Sequence, residues 1–133
     1  MLRRLFVTAA TCVFVLALGH AALGQAAPGR INLAQDGKTT CQIVTPSSPA
    51  PVDAYATREL AGYLRQITGA EFPVVAPAAM VAGRDSIFIG LSEPALKHLG
   101  PDPLASLKDQ EHVTRSIGRD IFLYGKGVHG NLS

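Results

Sequence analysis

The sequence predicts an α+β domain, built as a single mixed or antiparallel β-sheet with helices packed on one of its faces. Three observations lead there. Residues 52–68 carry apolar side chains at helical spacing, and short runs dense in β-formers lie on both sides of them. Two tight-turn signals, Asp36-Gly37 and Gly118-Arg119-Asp120, stand between such runs. The resulting order, β-β-α-β-β-(α)-β-β, buries its apolar sides by stacking helices on a sheet.

Not all of the 133 residues are expected to join that domain. "MLRR" is a short basic start, "LFVTAATCVFVLAL" (5–18) is uncharged and apolar, and "GHAALGQAAPG" is rich in small residues. This is the three-part layout of a secretory signal peptide. Ala22 and Gly24 supply the small side chains a cleavage site needs, which places the cut before Gln25, with a cut after Ala26 as a second option. The apolar run is shorter than the roughly 20 residues that span a bilayer, so no stable anchor is expected after cleavage. The chain is thus expected to be secreted or periplasmic, with 1–24 as signal and 25–30 as linker. Arg3-Arg4 also suggests twin-arginine export, weakened by Leu2 where Ser or Thr is usual.

Cleavage changes the charge balance. Residues 1–24 hold Arg3 and Arg4 and no acid, so ten basic and ten acidic residues remain. No basic cluster survives, which argues against a nucleic-acid partner. Cys12 leaves with the signal, and Cys41 alone cannot form an intramolecular disulfide or a CxxC-type site. In "TTCQIVT" it shares a strand face with Ile43 and reads as a small core hydrophobe, with an exposed reactive thiol as the alternative.

Along the remaining chain, "RINLAQDGKTTCQIVTP" reads as two β-runs around the Asp36-Gly37 hairpin signal. Pro46, Ser47, Ser48, Pro49 and Pro51 break that pattern and lead into a helix. In the helix, Val52, Tyr55, Ala56, Leu60, Tyr63, Leu64 and Ile67 share one predicted face. Pro51 suits its first turn, and Gly69 suits the left-handed position that ends it. "EFPVVA" (71–76) and "SIFIGL" (86–91) follow as strands, "EPALKHLG" (93–100) as a short helix, and "PDPLASLKD" (101–109) as irregular chain. "EHVTRSIG" and "DIFLYG" form a final hairpin, with Ile121 and Leu123 facing one way and Phe122 and Tyr124 the other.

Few residues offer chemistry. Gly125, Gly127 and Gly130 in "GKGVHG" match the spacing of a dinucleotide fingerprint, but no βαβ unit or downstream acid accompanies them. They read as a glycine-permitted turn with a structural role, and no cofactor is expected. His98, His112 and His129 lie on three different elements without ligand spacing, so no metal is expected. No serine sits in a nucleophile elbow. Glu59 falls between Tyr55 and Tyr63 on the predicted apolar face, where a carboxylate needs donors. It is expected to anchor backbone amides or an arginine such as Arg119. The alternative is a general acid or base, for which only Asp53 shares the face. Asn131-Leu132-Ser133 formally matches a glycosylation acceptor, too short a match to carry weight.

"ATRELAGYLRQITGAEFPVV", "DSIFIGLS" and "EHVTRSIGRDIFLYGKGVHGNL" together resemble the N-terminal domain of α-glucuronidases of glycoside hydrolase family 67. They also resemble the related domain that precedes the barrel of β-hexosaminidases. The resemblance covers residues 31–132 and implies a β-hexosaminidase domain 2-like fold over 31–133. It implies no catalytic residue here, because the family's catalytic carboxylates belong to a following (β/α)₈ barrel. "GKGVHGNLS" would then be the turn before a final helix, making the domain C-terminally truncated. The implied function is that of a non-catalytic accessory domain in xylan-type glucuronide or amino-sugar glycan breakdown, with the barrel as partner and a glycan as possible ligand. The competing expectation is a free-standing secreted module that binds carbohydrate or protein. Such a module needs exposed aromatics, and the sequence has no Trp.

Overall fold

A computed structural model describes residues 30–127. The expected signal segment 1–24, most of the expected linker, His129, Gly130 and the Asn131 motif lie outside the described residues. The elements are β1 (Gln42–Val44), α1 (Pro51–Thr68), β2 (Val74–Val75), a 3₁₀ turn (Pro77–Ala79), β3 (Ser86–Ile89), α2 (Glu93–Leu99), β4 (His112–Ile117) and β5 (Asp120–Gly125). The strands form one mixed sheet in the order β2-β1-β3-β5-β4. β2, β1, β3 and β5 run parallel, and β4 pairs antiparallel with β5 at the edge.

The α+β expectation holds at that level, but the helices do not share a face. Along each inner strand, alternate residues enter two separate cores. Cys41, Ile43, Ile87 and Ile89, with Ile121 and Leu123 beside them, pack against Leu60, Ala61 and Leu64 of α1. Val44, Phe88, Phe122 and Tyr124 pack on the opposite side against Ala95 and Leu99 of α2 and Leu104 and Leu107 of the following loop. One helix therefore covers each face. Both sides of β3 are dry, which explains why "SIFI" is apolar without a strict alternation.

The first hairpin is also corrected. Asp36 (φ 52°) and Gly37 (φ 70°) do make a tight turn, closed by paired bonds between Gln35 and Lys38. Its arms go no further, because the two flanks find better partners elsewhere. Leu33 and Ala34 lie on the α1-side core, and β1 pairs in parallel with β2 and β3. The last hairpin forms as expected: β4 and β5 pair from His112↔Gly125 to Ile117↔Asp120 around Gly118 (φ 60°). A positive φ at the first turn residue matches the right-handed twist of the two strands.

Helix α1 begins with Pro51 and ends at Gly69, whose φ of 73° lets its N–H reach the Arg65 carbonyl at 2.8 Å. The face it buries overlaps the predicted one only in part: Ala56, Leu60 and Leu64 pack in the core. Thr57 and Leu64 are buried, while Tyr55, Tyr63 and Ile67 are 47%, 60% and 77% exposed. The buried stripe is turned by roughly a quarter of the helix circumference toward Thr57 and Ala61. Thr57 and Ala61 join Leu60 and Leu64 against the sheet, and Tyr55, Tyr63 and Ile67 are left outside.

Cys41 meets its expectation. It is fully buried beside Ile43, and its Sγ lies 3.6 Å from the Asn32 carbonyl. Burial raises the thiol pKa above its ordinary 9.0. The sign follows from where the proton is held more firmly. The unfolded thiol ionises near its ordinary value while the folded one does not, so this contribution is whole below that pH and lost as pH rises past it. In the folded chain Cys41 is expected not to react with Ellman's reagent at pH 8, and to react at once in denaturant. Rapid native reaction would show that the thiol is open to solvent.

Candidate functional site

The residues that sequence reasoning selected do not converge on one place. Glu59 is exposed on the outer side of α1, so it carries no burial cost and needs no internal donor. Arg119, the partner expected for it, instead bonds Asp85 at 2.8 Å, where a carboxylate buried at the amino end of β3 requires a cation. Gly125 closes β5, and the Lys126 amide continues the ladder to the Glu111 carbonyl at 2.8 Å. Gly127 (φ 94°) lies against Gln110, whose Nε2 would be 3.3 Å from an added Cβ. Lys126 directs its Nζ to the Leu107 carbonyl at 3.1 Å rather than into the glycine turn. That segment extends the β4–β5 hairpin as far as Gly127, and Gly130 lies outside the described residues.

His98 stands at the rim of the α2-side core, 5.6 Å from the Phe122 ring, and His112 begins β4. Among the described residues no group of three or more His, Cys, Asp or Glu could hold a metal ion. Among them, too, no helix is long and apolar enough to cross a membrane.

Two surface features stand out. The first is the outer side of α1. Tyr55, Tyr63 and Ile67 project from it, and Arg58 lies 5.8 Å over the Tyr55 ring. Gly62 leaves a dip between Arg58, Glu59, Tyr63 and Gln66. A larger hollow of about 380 Å³ runs from Gly62 and Ala61 to Val74 on the edge strand, with the exposed Arg65–Glu71 pair at its side. Three large exposed apolar side chains on one helix, interspersed with charges, make this side a candidate interaction surface. Helical periodicity revealed these residues but assigned them to the core. Amphipathic spacing reports that a stripe is apolar and says nothing about what covers it.

The second feature was not legible in the sequence. A crevice of about 330 Å³ opens at the carboxyl ends of β1, β3 and β5, lined by Ser48, Val52, Asp53, Gly90, Leu91 and Gly125 among others. Asp53 comes from the first turn of α1. Gly90 has φ 73°, and an added Cβ would stand 2.7 Å from Asp53 Oδ2, so the position needs glycine on both counts. Its three walls lie far apart in the chain and meet only because their strands are parallel neighbours.

No protein-family model matches the chain. No curated protein matches it either.

Proposed function

We propose that the chain is a non-catalytic accessory domain of a secreted glycoside hydrolase, with the β-hexosaminidase domain 2-like fold implied by its resemblance to α-glucuronidase N-terminal domains. In this reading it packs against a catalytic (β/α)₈ barrel that these 133 residues do not contain. The supporting observation is on α1, where Tyr55, Tyr63 and Ile67 are exposed and Tyr63 lines a small hollow at Gly62. An interface centre of this kind is rich in tyrosine with charges at its rim. Export is part of the same proposal and rests on the layout of residues 1–24.

Two measurements test it. Purified residues 25–133 are expected to hydrolyse neither aryl α-glucuronides nor aryl N-acetylhexosaminides. Turnover that persists through purification and vanishes on substitution of Asp53 or Glu59 would overturn the accessory reading. An isolated α-glucuronidase barrel is expected to bind the domain, and Tyr63→Ser to weaken that binding by about tenfold, as interface tyrosines commonly do. Equal binding by wild type and Tyr63→Ser would remove the α1 surface from the proposal.

Exposure of the tyrosines also favours a second reading, a free-standing carbohydrate-binding module. Two of the three tyrosines are presented on one helix, available to stack on sugar rings. Retention on insoluble xylan that Tyr55→Ser and Tyr63→Ser abolish would select this reading.

A further inference from the structure

We propose that the crevice at the carboxyl ends of β1, β3 and β5 is a binding site for a neutral sugar residue. The argument begins with topology. β1 and β3 are parallel neighbours, yet the helix after β1 packs on one face of the sheet and the helix after β3 on the other. The two connections part at this point and leave a gap above the strand ends. Ligands in open parallel sheets bind in such gaps. Here the gap measures about 330 Å³, at the small end of ligand pockets and suited to one sugar unit or a short oligosaccharide.

The lining selects the chemistry. Pro46, Val52 and Leu91 give an apolar wall, while Ser48 and Asp53 give polar atoms. A pyranose has the matching character, with an apolar C–H face and a hydroxyl edge. Hydroxyls donate to a carboxylate strongly, and a carboxylate has about four acceptor positions, so Asp53 can serve a ligand in addition to its contacts within the protein. Ala50 provides no capping side chain and Pro51 no N–H, so the donors at this end of α1 are backbone amides. Gly90 and Gly125 are part of the lining, and the absence of a side chain at Gly90 lets the Asp53 carboxylate lie against it.

The same lining excludes other classes. None of the described residues that line it is cationic, and Asp53 would repel a phosphate, a sulfate or a uronate. One carboxylate is too few ligands for a calcium ion. The site is thus neutral-sugar selective, which the docking role of α1 does not require. A barrel bound to the outer side of α1 and a sugar in the crevice can coexist, and each can fail without the other.

The test is a two-dimensional amide NMR titration of the chain as isolated from expressing cells. The probes are xylobiose, N-acetylglucosamine and glucuronate. Millimolar xylobiose or N-acetylglucosamine is expected to shift the amides of Ser48, Val52, Asp53, Gly90, Leu91 and Gly125, and glucuronate to leave them in place. Asp53→Asn is expected to weaken binding about tenfold, since a charge-assisted bond becomes a neutral one. Ser48→Leu, in an exposed loop, fills the crevice and is expected to abolish the shifts while leaving the rest of the spectrum unchanged. If Asp53→Asn does not fold, Ser48→Leu alone decides. The proposal is overturned if no neutral sugar moves these amides, if the shifts fall only on Tyr55–Ile67, if glucuronate binds at least as well, or if Ser48→Leu binds like wild type.

Discussion

Phe122→Ala is expected to destabilise the domain by about 3–5 kcal/mol, the range for removing a buried aromatic from a core. Phe122 is fully buried, and its ring stacks on Phe88 with centroids 4.9 Å apart and planes 3° from parallel. These two rings come from adjacent strands and form the middle of the α2-side core. α2 is short, at seven residues, and cannot be stable without that surface to pack on. A small domain has only about 5–15 kcal/mol of net stability, so the substitution removes a large share of it. Urea denaturation gives the number directly. A loss under about 1 kcal/mol, the size of an ordinary substitution, would mean that the α2-side core adds little to the fold. Tyr63→Ser provides the contrast, because an exposed side chain is expected to change stability by no more than about 0.5 kcal/mol. The same change is expected to weaken docking, so stability and binding separate on opposite sides of the molecule.

Gln42→Ala is expected to cost about 3 kcal/mol, close to 1 kcal/mol for each hydrogen bond lost. Gln42 is fully buried inside β1 and makes three bonds of 3.0 Å. Its Nε2 donates to the Val81 carbonyl and to Ser86 Oγ, and its Oε1 accepts from the Val81 N–H. A buried amide is tolerated because every one of these bonds is made. The side chain thereby ties the connection between β2 and β3 to the sheet, next to the Asp85–Arg119 pair. Hydrogen exchange offers a second readout: residues 77–85 are expected to lose protection in Gln42→Ala before the strands do. Gln42→Leu recovers packing volume without the bonds, so it should regain only part of the stability. If leucine proves as stable as glutamine, the three bonds contribute no net stability.

What was readable from residue order was whatever short-range chemistry dictates. The limits of α1 follow from Pro51, which has no N–H to lose at a helix start, and Gly69, which accepts a left-handed φ. The β4–β5 hairpin follows from Gly118, and the opposite sides of Ile121 and Phe122 follow from the period of a strand. The burial of Cys41 came from its alternation with Ile43. Each of these depends on neighbours a few residues away, so the signal lies inside a short window. The parallel pairing of β1 with β2 and β3, the placing of α2 on the far face, and the rotation of α1 depend on contacts between segments far apart in the chain. For α1 the buried stripe keeps Ala56, Leu60 and Leu64 of the predicted face and adds Thr57 and Ala61. Close packing on the sheet favoured Thr57, Ala61 and Leu64, which left Tyr55, Tyr63 and Ile67 as a surface and moved Glu59 into solvent. The crevice is the extreme case: Ser48, Asp53, Gly90 and Gly125 share no motif and no period, and they become neighbours because three parallel strands end side by side.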